Sequence, residues 1–350
     1  MFAARLTTKD SGFTDPLLLA HDGVPRQREG RRGVAIPVPP KKYPIDQKGF
    51  FYMAPKDTQV QDVSGCWYDV ILGDCIDGMR LLDDASVNTC VTSPPYFGLR
   101  DYGVAGQIGL ESEVSDYIAR LVDVFREVRR VLREDGTLWV NLGDSYARAG
   151  GWSNNNGLDD VNRAEGTRAV SNTGGKRTSQ KLPSGFKQKD LLGIPWRVAL
   201  ALQADGWYLR QDIIWHKPNP VPENVKDRCT KSHEYLFLLS KSARYHFDET
   251  VMQETATSES GKYATRNKRS VWVVPTRAFN GAHFAVFPPD LIAPCILAGC
   301  PEGGTVLDPF GGSGTTAGVA LKHGRNAVLC ELNPDYAILI DDRVDSIRFA

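Results

Sequence analysis

The chain lacks a net charge. Its 42 Lys and Arg balance its 42 Asp and Glu over 350 residues. No global field draws it to nucleic acid, so any such contact must come from local patches. It also lacks a cysteine framework. Seven cysteines are scattered without a CxxC pair or a Cys/His cluster, which excludes a disulfide scaffold and a zinc ribbon and suits a reducing cytoplasm. No metal site is expected. No apolar run approaches the roughly 20 residues that span a bilayer, and the opening MFAARLTTKDSGF has no continuous apolar signal core. Internal repeats are absent. The expectation is a cytoplasmic protein without membrane contact. What is present is ordinary for a globular chain, 41% hydrophobic and 24% charged.

Basic residues do cluster. Arg26, Arg28, Arg31, Arg32, Lys41 and Lys42 form one group, and Arg163, Arg168, Lys176, Arg177, Lys181, Lys187 and Lys189 a second. Lys262, Arg266, Lys268, Arg269 and Arg277 form a third. Residues 1–66 read as a basic, Pro-rich extension, with VAIPVPPKKYPI as an extended arm. Regular patterning begins at Trp67 and sets a domain over 67–350.

Within that domain strands and helices alternate. WYDVIL, SVNTCVT and GTLWVNL read as strands, and Ser115 to Leu132 as an amphipathic helix stopped at Glu134-Asp135-Gly136. A Gly-, Asn- and Ser-rich stretch over 147–188 breaks the pattern as an inserted loop. After a helix at Pro195, YLRQDIIWHK and HEYLFLLSKS read as an antiparallel ribbon at one sheet edge. FPPDLIAPCILAGC is a helix, GGTVLD a strand leading to a Gly-rich turn and helix, and NAVLCE a strand before a last helix. The alternation predicts a mainly parallel sheet with helices on both faces.

Two stretches carry chemistry. Asp308-Pro309-Phe310-Gly311-Gly312-Ser313-Gly314-Thr315 joins a buried strand to a helix, and its glycines allow close approach of a ligand to backbone. Glu331, about 20 positions after the first glycine, suits a ribose diol. Asp308 before the glycines would repel a pyrophosphate, which argues against a nicotinamide oxidoreductase, and suits an amine-bearing or cationic ligand. The second stretch is CVTSPPYFGLRDYG. Two prolines end the strand abruptly and stiffen Ser93-Pro94-Pro95-Tyr96.

Together, TSPPY and LDPFGGSGTT resemble the DNA amino-methyltransferases, in the permuted order with the Pro-Pro motif first and the cofactor motif last. The resemblance covers roughly Tyr68 to Ile347. It implies a circularly permuted, Rossmann-like S-adenosylmethionine-dependent methyltransferase fold, α/β, with a seven-stranded mixed sheet. It implies S-adenosyl-L-methionine bound by Asp74, Asp308, Pro309, Phe310, Gly311, Gly312, Ser313, Gly314, Thr315 and Glu331. The catalytic set would be Ser93, Pro94, Pro95 and Tyr96. The Ser93 hydroxyl and Pro94 carbonyl would accept from the exocyclic amine of a flipped-out base, and Tyr96 would stack on that base. In this family serine at the first motif position is usual for the cytosine 4-amino target, and Asp or Asn for the adenine 6-amino target. Cytosine is favoured, with adenine as the alternative on the same fold and a non-catalytic DNA-binding protein as the remote one.

Double-stranded DNA is the expected substrate. Trp215, Lys217, Asn219, Arg228, Lys231 and His233 in the ribbon loop, with Arg266, Lys268 and Arg269, suit phosphate contacts and stacking. The target-recognition segment is expected over 245–283. Dimerising relatives make a homodimer one expected arrangement, and a cognate restriction enzyme one expected companion. Asp144 is an extra carboxylate that serves either a ligand or a helix cap. Pro294-Cys295 and Glu223-Asn224-Val225 mimic carbon-5 cytosine methyltransferase motifs, but in reversed order and with the cysteine in an apolar helix.

Overall fold

The computed structural model describes residues 51–53, 65–148, 182–256, 264–276 and 287–350. Most of the expected extension, most of the 147–188 loop and parts of the 245–283 segment lie outside the described residues.

Eleven strands are described: β1 (Phe51–Met53), β2 (Tyr68–Leu72), β3 (Val87–Thr92), β4 (Leu132–Leu142), β5 (Tyr208–His216), β6 (His233–Ser240), β7 (Gln253–Thr255), β8 (Thr265–Asn267), β9 (Val271–Val273), β10 (Thr305–Asp308) and β11 (Asn326–Glu331). The helices are α1 (Cys75–Met79), α2 (Val114–Val131), α3 (Ile194–Ala204), α4 (Pro289–Gly299), α5 (Thr315–Lys322), α6 (Pro334–Ala337) and α7 (Ile340–Arg348). A 3-10 turn spans Glu249–Met252.

The main sheet has the order β1-β2-β11-β10-β3-β4-β6-β5-β9. Its middle seven strands are the seven that the sequence predicts. β2, β11, β10, β3 and β4 run parallel, and β6 is antiparallel to β4 and β5. Two three-residue strands, β1 and β9, extend the edges, which patterning over so few residues does not reveal. β7 and β8 form a separate hairpin inside the expected recognition segment.

β3 is buried along almost its whole length, because helices cover both faces. On one face the α2 stripe Val114, Tyr117, Leu121, Val124, Phe125, Val128 and Val131 is buried, at the spacing of one helical face. α1 and α3 share that core. On the other face α4, α5 and α7 bury Leu291, Ile292, Ile296, Val319, Val344 and Ile347. Truncating a fully buried Leu or Ile here costs about 2–5 kcal/mol. α2 ends at Val131, one residue short of the expected Leu132, and runs straight into β4. The predicted breaker Glu134-Asp135-Gly136 instead lies in a register shift, between the Val87–Leu132 and Thr89–Thr137 pairs.

The winding of the sheet reverses between β10 and β3. Ligands of open α/β sheets bind in the crevice outside the strand ends at such a point.

Candidate active site

At that crevice the two motifs meet. Asp308 ends β10 and Thr92 ends β3, on neighbouring strands in register at Leu307–Cys90. Asp308 is 2% exposed. Its Oδ1 accepts from the Thr92 hydroxyl at 2.6 Å and from the Phe310 N–H at 3.0 Å, and its Oδ2 from the Thr316 hydroxyl at 2.6 Å. Burial raises its pKa, against the opposing pull of these donors. The carboxylate therefore ties the Gly-rich turn to the end of β3 across 216 positions of sequence. This is a nearer job than the contact with a ligand amine expected from its place before the glycines.

The turn itself has the geometry that its glycines predict. Gly312 and Gly314 have φ of 53° and 89°, the left-handed region that favours glycine. Glu331 Oε2 accepts from Gly312 N–H at 2.8 Å, and Oε1 from Asn333 N–H at 2.8 Å. Each oxygen keeps a lone pair for a further donor. Burial pushes the Glu331 carboxyl up to about 7. Ser313 and Thr315 are 2% and 3% exposed, and their hydroxyls have no partner among the described residues. Buried polar atoms are normally paired, so two such hydroxyls beside a glycine cradle fit a polar ligand. Asp74 lies one strand over. Its Oδ1 caps α1 through Ile76 N–H and its Oδ2 meets Arg120 at 3.1 Å.

The Ser93–Tyr96 loop is fixed from two sides. From one face, the Tyr117 hydroxyl of α2 donates to the Pro95 carbonyl at 2.8 Å, and the Phe97 ring packs 5.4 Å from Tyr117. On the other, the Tyr96 ring lies over Gly143, where a Cβ would collide with it. The Tyr96 hydroxyl donates to Glu234 Oε2 at 2.7 Å, and Ser93 Oγ lies 3.5 Å from the Tyr96 oxygen.

A family model described as DNA methylase matches residues 87–342. The chain belongs to this DNA methylase family. It is 50% identical over 276 residues to the Type II methyltransferase M.SmaI of Serratia marcescens, covering 79% of this chain and 90% of that one. It is 50% identical over 272 residues to the Type II methyltransferase M.Cfr9I of Citrobacter freundii, covering 78% and 86%. Among solved structures, the PvuII DNA methyltransferase (cytosine-N4-specific) superposes with a TM-score of 0.55 at 18% identity, over 81% of this chain and 91% of that one. A putative DNA modification methylase of Thermus thermophilus, complexed with S-adenosyl-L-methionine, gives 0.52 at 23% identity, over 81% and 96%. Both likenesses concern the fold.

The DNA methylase places the expected DNA-contact residues less simply. Trp215 is 3% exposed, and its indole N–H donates to the Val274 carbonyl at 2.7 Å. Its face is therefore not offered to a base. Lys217 turns inward onto Glu234 and the Trp215 ring, 4.2 Å from the centroid. Asn219 spends both ends of its amide on Thr276 backbone. Arg228 pairs with Glu223 at 2.6 Å and stacks on Tyr146, and Arg266 pairs with Glu254 at 2.8 Å. Lys231 and His233 are part-buried, and burial lowers the pKa of both. Lys268 lies over the Trp272 ring at 5.1 Å. Arg269 is 69% exposed and reaches Glu254 only at 4.0 Å. It remains the most open cation of this set.

Two other candidates are resolved by geometry. Asp144 Oδ1 accepts from Ile194 N–H at 3.0 Å, capping α3 from a distant loop. Cys295 is fully buried in α4, its thiol on the Leu291 carbonyl, which removes it as a nucleophile. Sequence reading missed Glu234, Asn141, Gly143, Thr92 and Thr316. For Glu234 a signal existed: it is the one acidic residue of the strand HEYLFLLS, whose last five residues are buried.

Proposed function

We propose that this DNA methylase transfers a methyl group to the exocyclic 4-amino group of a cytosine extracted from duplex DNA. S-adenosyl-L-methionine is the cofactor, and when bound it supplies an electrophilic methyl group. Glu331 would accept the ribose hydroxyls. Ser313 and Thr315 would meet polar ends of the ligand, and the backbone at Gly311, Gly312 and Gly314 would lie against it.

The observation that carries the reading is the meeting of Ser93 with the Asp308 turn at one crevice, joined by the Thr92–Asp308 hydrogen bond. An exocyclic amine is a poor nucleophile because its lone pair is delocalised into the ring. Ser93 Oγ and the Pro94 carbonyl would accept its two hydrogens and draw the nitrogen towards tetrahedral geometry. A loop pinned by Tyr117 and Glu234 holds such acceptors without reorganisation. The nitrogen would gain the methyl group as its bond to the cofactor sulfur breaks, the sulfur keeping the electron pair, and would release one proton to water. Because the amine is paired inside a duplex, the base must leave the stack. Ser93, rather than a carboxylate, at the first motif position supports cytosine over adenine. A cytoplasmic location and work beside a cognate restriction enzyme accord with this role, as does a homodimer.

The test is digestion of duplex DNA methylated by the purified protein, with chromatography and mass spectrometry of the nucleosides. N4-methylcytosine is expected, separated by retention time from its 5-methyl isomer. N6-methyladenine in its place would overturn the cytosine assignment.

A further inference from the structure

We propose that Glu234 is a positioning residue for methyl transfer, fixing the Tyr96 hydroxyl and through it the direction in which Ser93 presents its lone pairs. This rests on the methyl-transfer reading but not on which base is modified, since either amine offers two N–H groups to the same acceptors.

The arrangement is built from three adjacent strands. Asn141 lies on β4, Glu234 on β6, and Lys217 directly follows β5. Asn141 Nδ2 donates to Glu234 Oε2 at 3.1 Å and to the Tyr235 carbonyl at 3.1 Å, which fixes the amide. Lys217 Nζ holds the other oxygen, Oε1, backed by the Trp215 ring. The Glu234 and Lys217 side chains are only 15% and 18% exposed. A buried ion pair is weak grounds for stability, because well-packed apolar residues of the same volume often serve as well. Its position beneath the catalytic loop gives it a different job.

A phenol carries one hydrogen. Burial and the adjacent Glu234 charge push the Tyr96 phenol well above its ordinary range, so it keeps that hydrogen at neutral pH. The hydrogen goes to Glu234 Oε2 at 2.7 Å rather than to Asn141 Oδ1 at 3.2 Å. The Tyr96 oxygen is then left as an acceptor. Ser93 Oγ, 3.5 Å away, faces it as the donor. The bond is long, and catalytic hydrogen bonds often tighten only in the reacting complex. With its hydrogen committed to Tyr96, Ser93 turns lone pairs towards the amine. A freely rotating hydroxyl would spend part of its time pointing a hydrogen at the same group.

The experiment uses the full chain and tritiated methyl incorporation into duplex DNA, which registers transfer to either base. Glu234→Gln keeps the shape and removes the charge, and Tyr96→Phe removes the link. Each is expected to lower kcat about 30-fold, with KM for DNA and Kd for the cofactor within about twofold. The double variant should be no slower than Tyr96→Phe alone, because both cut one chain of hydrogen bonds. Glu234→Gln at the wild-type rate, or losses that multiply in the double variant, would overturn the proposal. Should Glu234→Gln not fold, a folded Tyr96→Phe at the wild-type rate would overturn it equally. A wild-type protein that transfers no methyl group would overturn the underlying reading and this proposal with it. An active wild type beside an unimpaired Glu234→Gln would overturn only this one.

Discussion

The Gly-rich turn and the ribbon loop flank the same crevice, yet they differ in how they use charge. In the turn, Asp308 and Glu331 are buried, and they accept from strand-end and loop groups and from Thr316 in the first turn of α5. In the ribbon Lys217 and Arg228, and on the neighbouring hairpin Arg266, are cations that look ready for phosphate, and each is already held by a carboxylate. A small ligand is met by contiguous backbone and a few fixed side chains. A duplex is met by what remains exposed after internal pairing. A run of cations in sequence therefore overstates the surface available to DNA.

Three changes would break or sharpen that contrast. The largest effect is expected from Asp308→Ala. It leaves the Thr92 and Thr316 hydroxyls unpaired in a buried site, costing about 2 kcal/mol or more in thermal unfolding. It also frees the Gly-rich turn from β3, so methyl transfer, on the proposed reading, should fall on the order of 100-fold or more. A stable, active Asp308→Ala protein would show that the two loops do not depend on the tie.

Next comes pH. In the proposed reading, ribose hydroxyls would donate to ionised Glu331, whose carboxyl is pushed up to about 7. Cofactor affinity, measured by calorimetry, is expected to rise about tenfold from pH 6 to pH 8, and to be flat in Glu331→Gln. The sign for folding is opposite. The folded state holds this proton more tightly than an unfolded carboxyl at its ordinary 4.5. That contribution to stability is fully present below about 4.5 and is lost as pH rises through about 7.

The smallest effect is expected from Arg269→Ala. DNA binding should weaken by about threefold and the slope of log affinity against log salt should drop by about 1. Lys217→Ala should leave that slope unchanged, since its ammonium is spent on Glu234. A salt slope altered by Lys217 and not by Arg269 would reverse the comparison.

Both central motifs were legible because their chemistry is local. Asp308 to Thr315 and Ser93 to Tyr96 are contiguous, and glycine and proline constrain backbone regardless of what packs nearby. The central strands β3, β10 and β11 were legible because helices cover both faces and leave near-continuous apolar runs. The pairings were not legible. Nothing in HEYLFLL names Tyr96 as the partner of Glu234, since that choice depends on β6 lying beside β4. The fate of Asp144 was equally a matter of tertiary geometry, because the helix it caps begins 50 residues on. β9 and the β7–β8 hairpin are three-residue strands, too short for alternation to register.

The order of strands also has a consequence for biosynthesis. β10 and β11 lie between β2 and β3, yet they come later in the chain than every other described strand of this sheet. Until residues 305–331 emerge, β2 and β3 each expose an unpaired edge. Closing that gap joins parts of the chain more than 200 residues apart, the costly kind of contact in folding. The crevice at the β10–β3 junction thus stays incomplete until residues 305–331 have been made, and a shorter nascent chain carries no assembled candidate site.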